Sequence, residues 1–313
     1  VWADYAFNGA VSVKWGAGTN LSFQTAFNVD SESYSVKGEM IPGAGFMAEG
    51  SYDFSLLVVP HDRGGSFIAL SAADLPIPLK GNTVYATLDW IGGFSRDDGL
   101  EIVSRQTRLT GLPELLPGMT NATADLKFTL GDEKIVFSEV VYRDDVSTLS
   151  GNGSVDFSFS PDTAMNGWLF LTDERNVECY TALLSTALGE SDIRLFFEHS
   201  PLARLGEYIV RGDVSGALNA YGPADDQILD LRLALNNGRL NFEPLEFDLD
   251  MTISKAAIRV NSFQGAYGSI YKLTEGKGEF SRETGNFDFS AIFQADLVDP
   301  INAELAFSGT ILD

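Results

Sequence analysis

Cysteine, histidine and positive charge are all scarce in this chain. The single cysteine, Cys179, excludes an intramolecular disulfide framework, and with His61 and His199 as the only histidines there is no cysteine–histidine cluster for zinc. Lys and Arg number 21 against 44 Asp and Glu, a formal net charge of -23. Such a balance repels phosphates, so nucleic acid is excluded as a partner and anionic membrane surfaces are disfavoured. Acidity of this kind keeps a protein with a large apolar interior soluble. Long apolar runs are missing too: Phe54 to Val59 is far too short to span a bilayer, and no signal-peptide pattern is present. The opening at Val1 reads as that of a segment cut from something longer.

Enzyme signatures are equally thin. Gly43, Gly45 and Gly50 do not match a dinucleotide fingerprint, because no helix follows to present its N-terminus to a phosphate. Asp97, Asp98 and Gly99 lack the alternating oxygen ligands of a calcium loop and read as a turn. Neither His61 beside Asp62 nor His199 beside Glu198 accompanies a nucleophile setting. Cys179 reads as a small buried hydrophobe. No catalytic residue, metal ligand or cofactor is assigned, and the chain is expected not to be an enzyme.

What the sequence does have, from end to end, is strict alternation of apolar and polar residues, the pattern of a sheet with one dry and one wet face. Hydrophobic residues make up 44% and aromatics 12%, with 22 Phe, which is ample for a folded chain. Leu21, Phe23 and Phe27 alternate with Ser22, Gln24 and Asn28, and Leu126 and Phe128 with Asp125 and Lys127. Phe157 and Phe159 continue the series. Leu231, Leu233 and Leu235 are interleaved with Arg232 and Ala234, and Phe247, Leu249 and Met251 with Glu246, Asp248 and Asp250. Phe287, Phe289 and Phe293 follow, then Leu305 and Phe307. These eighteen apolar residues are the expected lining of one continuous face.

Turns are expected at Asn236-Asn237-Gly238 and Thr284-Gly285-Asn286. Glycines within the runs, at 151, 153, 212, 216, 265, 268, 276 and 278, are expected to mark bulges or bends, so the sheet should curl. Two stretches break the pattern. Asn176 to Leu188 has the spacing of a short helix ending at Gly189, and Ser200-Pro201 reads as the start of another. The longer loops Pro60 to Gly65 and Leu112 to Thr120 lie in the first half. The expected organisation is therefore a first β-rich groove segment over 1–189, a short helical connection over 190–211 and a more regular β segment over 212–313, with one continuous domain as the alternative.

From Arg211 to Phe280 a thread runs through Gly212, Val214, Gly216, Leu218, Gly222-Pro223, then Ile228, Leu229 and the strand to Asn237-Gly238-Arg239-Leu240. It continues through Ile258, Val260, Phe263, Gly265, Gly268, Ile270, Leu273, Gly276, Gly278 and Phe280. In this order the residues resemble the TamB family of the bacterial envelope, within the AsmA-like group. Weaker echoes occur at Leu149 to Leu171 and Val36 to Val58, so the resemblance covers about a quarter of the chain well. The motifs are common strand and turn residues, and their order carries the specificity.

The resemblance implies an all-β, elongated curled sheet, a half-pipe or β-taco with an apolar concave groove and one or two short helices. It also implies a function: sheltering phospholipid acyl chains between inner and outer membranes in the periplasm, in support of outer-membrane biogenesis. Partners implied are phospholipid or another acyl-chain lipid and, through regions outside this segment, an outer-membrane assembly barrel protein. The family's membrane anchor is not in this chain, which would be a fragment of an inner-membrane-anchored protein. An alternating apolar face is equally the mark of a closed core. The competing expectations are thus a β-solenoid adhesin or passenger and a structural spacer, although no short stacked repeats favour the solenoid.

Overall fold

The computed structural model describes residues 7–15, 20–29, 32–61, 64–79, 82–95, 99–113, 119–158, 164–187, 189–205, 210–223 and 226–311. The chain forms two compact units, Val1–Leu115 with Met119–Ser154, and Leu116–Gly118 with Val155–Asp313. Both are all-β and open, with strands pairing antiparallel in chain order.

In the first unit the ladder runs through β1 (Phe7–Trp15), β2 (Leu21–Val29), β3 (Glu32–Ile41), β4 (Gly45–Gly50), β5 (Ser55–His61), β6 (Gly65–Leu79), β7 (Asn82–Ser95), β8 (Gly99–Thr110), β9 (Thr123–Leu130) and β10 (Lys134–Arg143). Strand lengths are uneven, from six residues in β4 to fifteen in β6. Of the stretch Pro60 to Gly65, expected as a longer loop, Pro60 and His61 end β5 and Gly65 opens β6, with Gly64 N–H donating to the His61 carbonyl; residues 62 and 63 lie outside the described residues. The β3–β4 reversal needs Gly45, whose φ of +120° and whose neighbour, the Val58 carbonyl, exclude a Cβ. The boundary between units falls within β11 (Thr148–Phe157).

The second unit continues with β12 (Met165–Thr172), β13 (Cys179–Ala187), β14 (Glu190–Pro201), β15 (Arg211–Pro223), β16 (Ile228–Leu240), β17 (Glu243–Ile253), β18 (Ala257–Tyr267), β19 (Tyr271–Ser281), β20 (Asn286–Ala295) and β21 (Ile301–Thr310). Each strand from β12 to β20 pairs with its successor.

Three expectations are corrected. Asn176 to Leu188 is not a helix: the described part is a tight turn, in which the Asp173 carboxylate accepts from Val177 N–H at 2.7 Å, followed by β13. Tyr180, Ala182, Leu184 and Thr186 fall on one face of that strand and Thr181, Leu183 and Ser185 on the other. A helix this short is marginal by itself, and ladder bonds to two flanking strands outweigh its propensity. The expected helix after Ser200 is a single 3-10 turn, Leu202–Leu205, so the stretch expected as a helical connection holds β14 and that turn, with no α-helix among the described residues. Asn236-Asn237-Gly238 is not a reversal but a bulge inside β16, where the register to β17 shifts between Leu235 and Gly238; the chain turns at Asn241-Phe242 instead.

Little is sealed. Buried apolar side chains in the first unit are mostly small, among them Ala72, Val84, Ala86, Ala122, Ala124, Val140 and Leu149, and Pro76 is the largest with almost no solvent contact at all. In the second unit the shielded apolar residues are Val214, Leu235, Ala291 and Ala295.

Candidate functional site: two uncovered apolar faces

In each unit, residues paired across successive strands share a face, so a row of partners reads as a line crossing the ladder. In the first unit one line is Leu21, Met40, Phe46, Val58, Ile68, Gly92, Ile102, Leu130 and Ile135, apolar over nine strands. Its neighbour is Val13, Phe23, Gly38, Ala48, Leu56, Leu70 and Trp90, and ends on the hydroxyl of Ser104. Aromatic contacts knit the face: Phe23 stacks on Phe46 at 5.8 Å, Phe27 on Tyr34 at 5.2 Å, and Phe128 lies edge-on to Trp90 at 5.4 Å and Phe137 at 5.9 Å.

In the second unit the lines are longer and purer. Leu169, Ala182, Leu195, Leu218, Leu231, Met251, Val260, Gly278, Phe289 and Phe307 cross all ten strands without a polar side chain. Beside it run Leu171, Tyr180, Phe197, Gly216, Leu233, Leu249, Phe263 and Gly276. On the far side of the strands stand Arg232 against Asp250 (3.1 Å), Arg259 against Glu279 (2.8 Å) and exposed Asp248 and Asp288.

The residues expected to line the face fall out as follows. Leu21, Phe23, Phe27, Leu126, Phe128 and Phe157 are half-buried, and so are Leu231, Leu233, Phe247, Leu249, Met251, Phe287, Phe289, Phe293 and Leu305. Leu235 is buried, Phe307 on the last strand is 56% exposed, and Phe159 lies outside the described residues, as do Asp62, Asp97 and Asp98. Of the acidic residues expected in solvent, Asp250 is half-buried, accepting from Arg232 and Asn261. Sequence reasoning missed Phe46, Trp90, Phe197, Val260, Phe263 and Phe280. For Val260 and Phe263 the cause is visible, since register shifts on both sides of Phe263 break the period of two.

Several glycines under these rows act as seats for rings rather than as bends. A Cβ on Gly38 would meet the Phe23 ring at 2.4 Å; on Gly216, Phe197 at 3.0 Å; on Gly278, Phe289 at 3.0 Å; on Gly309, Phe287 at 2.8 Å. The ring of one strand lies down over the bare backbone of the next, so large side chains add little height to the face. Gly212, Gly265 and Gly276 do sit at register shifts, as the pattern predicts, and so does Gly238, expected instead in a turn.

One polar cluster interrupts the apolar floor of the second unit. Arg204, on the 3-10 turn, donates from Nε and Nη2 to Glu178 Oε1 at 2.9 and 2.8 Å, and both side chains are almost fully shielded. The Tyr180 hydroxyl lies 2.8 Å from the same oxygen and 2.7 Å from Ser200 Oγ, with Arg204 over its ring at 5.9 Å. Burial pushes the Tyr180 phenol well above its ordinary value. His61 is exposed at the end of β5, His199 Nδ1 lies 2.6 Å from Asp213 Oδ1, and Cys179 is half-buried beside Thr172 Oγ1. Compared with known proteins, the chain matches no family model, no curated protein and no solved structure.

Proposed function

We propose that the chain is a lipid-sheltering segment: its apolar faces take up acyl chains of phospholipid, in the manner of the TamB-like half-pipes that the 211–280 thread resembles. One observation carries the reading. Rows of Leu, Phe, Met and Ile run unbroken across nine and ten strands, yet nearly all of these side chains stay half-exposed, because among the described residues no helix layer or second sheet covers them within either unit. An apolar face of this extent is ordinarily buried against another layer.

The physical need matches. Each CH₂ withdrawn from water is worth ~0.8 kcal/mol, so an acyl chain of about sixteen carbons passes bare through water only at a penalty on the order of 10 kcal/mol. A floor of methyl groups and flat rings, without hydrogen-bonding anchors along the long rows, removes that penalty without holding the chain at one point. On this reading the protein works in the bacterial envelope, between membranes, as a conduit rather than an enzyme, and any outer-membrane assembly partner engages regions beyond this segment. The test is organic extraction of purified protein followed by lipid mass spectrometry. Phospholipid above the level carried by an unrelated acidic β protein is expected; none, together with no site for an apolar dye, would leave the face an ordinary core.

A further inference from the structure

The hairpin turns of the second unit are not alike at its two rims. Strands β16–β21 reverse at one rim through Asn241-Phe242, residues 268–270 and residues 296–300. Each reversal carries a large apolar side chain into solvent: Phe242 (92% exposed), Ile270, and Leu297 with Val298 (101%). At the opposite rim the corresponding exposed turn residues are Asp226 and Gln227, Lys255 and Ala256, and Arg282 to Thr284, none with a large apolar side chain. Exposed apolar side chains also occur elsewhere in the unit, as at Trp168, Phe170 and Phe196 on the strands and at Ile311 beside Gly285 of the opposite rim, but none of these is a hairpin tip.

Phe242 is the most telling. It has φ +71° directly after Asn241 at φ +51°, a two-residue turn in which glycine is the natural second residue. A bulky ring there is strained and packs on nothing, so the fold gains nothing from it. Just inside the tips, Tyr267 stacks on Tyr271 at 6.4 Å and Tyr271 on Phe293 at 6.2 Å, a strip of amphipathic rings set back from the apolar points. Between the points stand charges of both signs, Glu243, Lys272, Asp296 and Asp299, all exposed. Successive tips are two strands apart, about 10 Å.

We infer that this rim seats on the surface of a neutral phospholipid bilayer, with Phe242, Ile270, Leu297 and Val298 dipping into the headgroup–acyl boundary. A dry protein interface concentrates its apolar residues and excludes charge from its centre. Isolated apolar points separated by ions suit a fluid partner that closes around each point while leaving the ions in the headgroup layer. Tyrosines set behind the points match the depth at which aromatic belts lie. The chain's net charge of -23 directs the choice to zwitterionic rather than anionic lipid. The inference stands apart from occupancy of the apolar face and does not depend on it.

The experiment is flotation of the full chain with phosphatidylcholine vesicles. Phe242→Gly with Val298→Asp should weaken binding at least tenfold, and Phe242→Gly alone should weaken it while leaving the fold as stable or more so, because the turn is relieved. Ala256→Asp with Thr284→Asp at the opposite rim should change nothing. Lipid extracted from the apolar face should be the same in all variants. The inference is overturned if the protein ignores neutral vesicles, if it binds only anionic ones, or if the tip variants bind as well as the parent. It is equally overturned if sedimentation shows the tip changes converting a dimer to a monomer, since the rim would then belong to a second copy.

Discussion

The two units solve the same problem, a long antiparallel ladder with one apolar face, to different degrees of closure. In the first unit Val84 and Ala86 on β7, with Ala122, Ala124 and Val140 around β9 and β10, are almost without solvent contact, and Trp90 on the same ladder satisfies its Nε1–H on Thr107 Oγ1 at 2.7 Å. Ser104 and Thr107 are shielded beside it, 2.8 Å apart. That region is a small sealed core in which the polar atoms of Trp90, Ser104 and Thr107 pair with one another. The second unit has rows at least as apolar and one strand longer, but few of its apolar side chains are sealed; beside Val214, Leu235, Ala291 and Ala295, what is sealed there is an ion pair, Glu178 with Arg204. Apolar sequence alone therefore does not make a core. Small residues at convergent strands do, whereas large residues on a regular ladder make an open face.

The comparison breaks most readily where burial is greatest. Ala86→Asp, at a position with no exposure, puts an unpaired charge in the first unit's core and should cost about 4 kcal/mol or more, unfolding that unit in urea titration and proteolysis while the second unit's ladder persists. Next comes Arg204→Met, which strands the Glu178 carboxylate and should destabilise the second unit by about 3–5 kcal/mol. Adding Glu178→Leu should recover most of the loss, and failure to recover would mean the pair holds the 3-10 turn by more than charge. Gly216→Ala is smaller: its Cβ would press on the Arg232 carbonyl and the Phe197 ring, a loss of about 2 kcal/mol readable by thermal melting. If it proves neutral, the ring is free to stand up and the face is not flat.

Much of this was legible in the sequence, and the reasons for the rest are local. The period of two is the geometry of a strand, so Leu231, Leu233, Phe247, Leu249, Phe287 and Phe289 could be assigned to one face without a structure. Asn176 to Leu188 could not be assigned. In a thirteen-residue stretch with leucines at 183, 184 and 188, helical and strand spacings overlap, and the ladder bonds to β12 and β14 that decide the matter lie outside the stretch itself. Asn236-Asn237-Gly238 misled because the residues that suit a hairpin also suit a bulge, and both need positive φ, here +51° at Asn237. The seats of Phe197 and Phe289 on Gly216 and Gly278 depend on register between strands, which no single strand encodes. The Glu178–Arg204 pair, 26 residues apart, had no local signal at all.

The central claim, that the second unit's face is open rather than sealed, is tested most directly by Leu233→Glu measured beside its outward neighbour Arg232→Glu, with melting temperature and co-purified phospholipid read on the same preparations. Leu233 is half-buried on the apolar face and Arg232 is exposed on the other. The account predicts that Leu233→Glu folds with a loss of about 1–2 kcal/mol but carries markedly less lipid, while Arg232→Glu keeps its lipid. A Leu233→Glu protein that unfolds outright, or equal lipid on both variants, would contradict it.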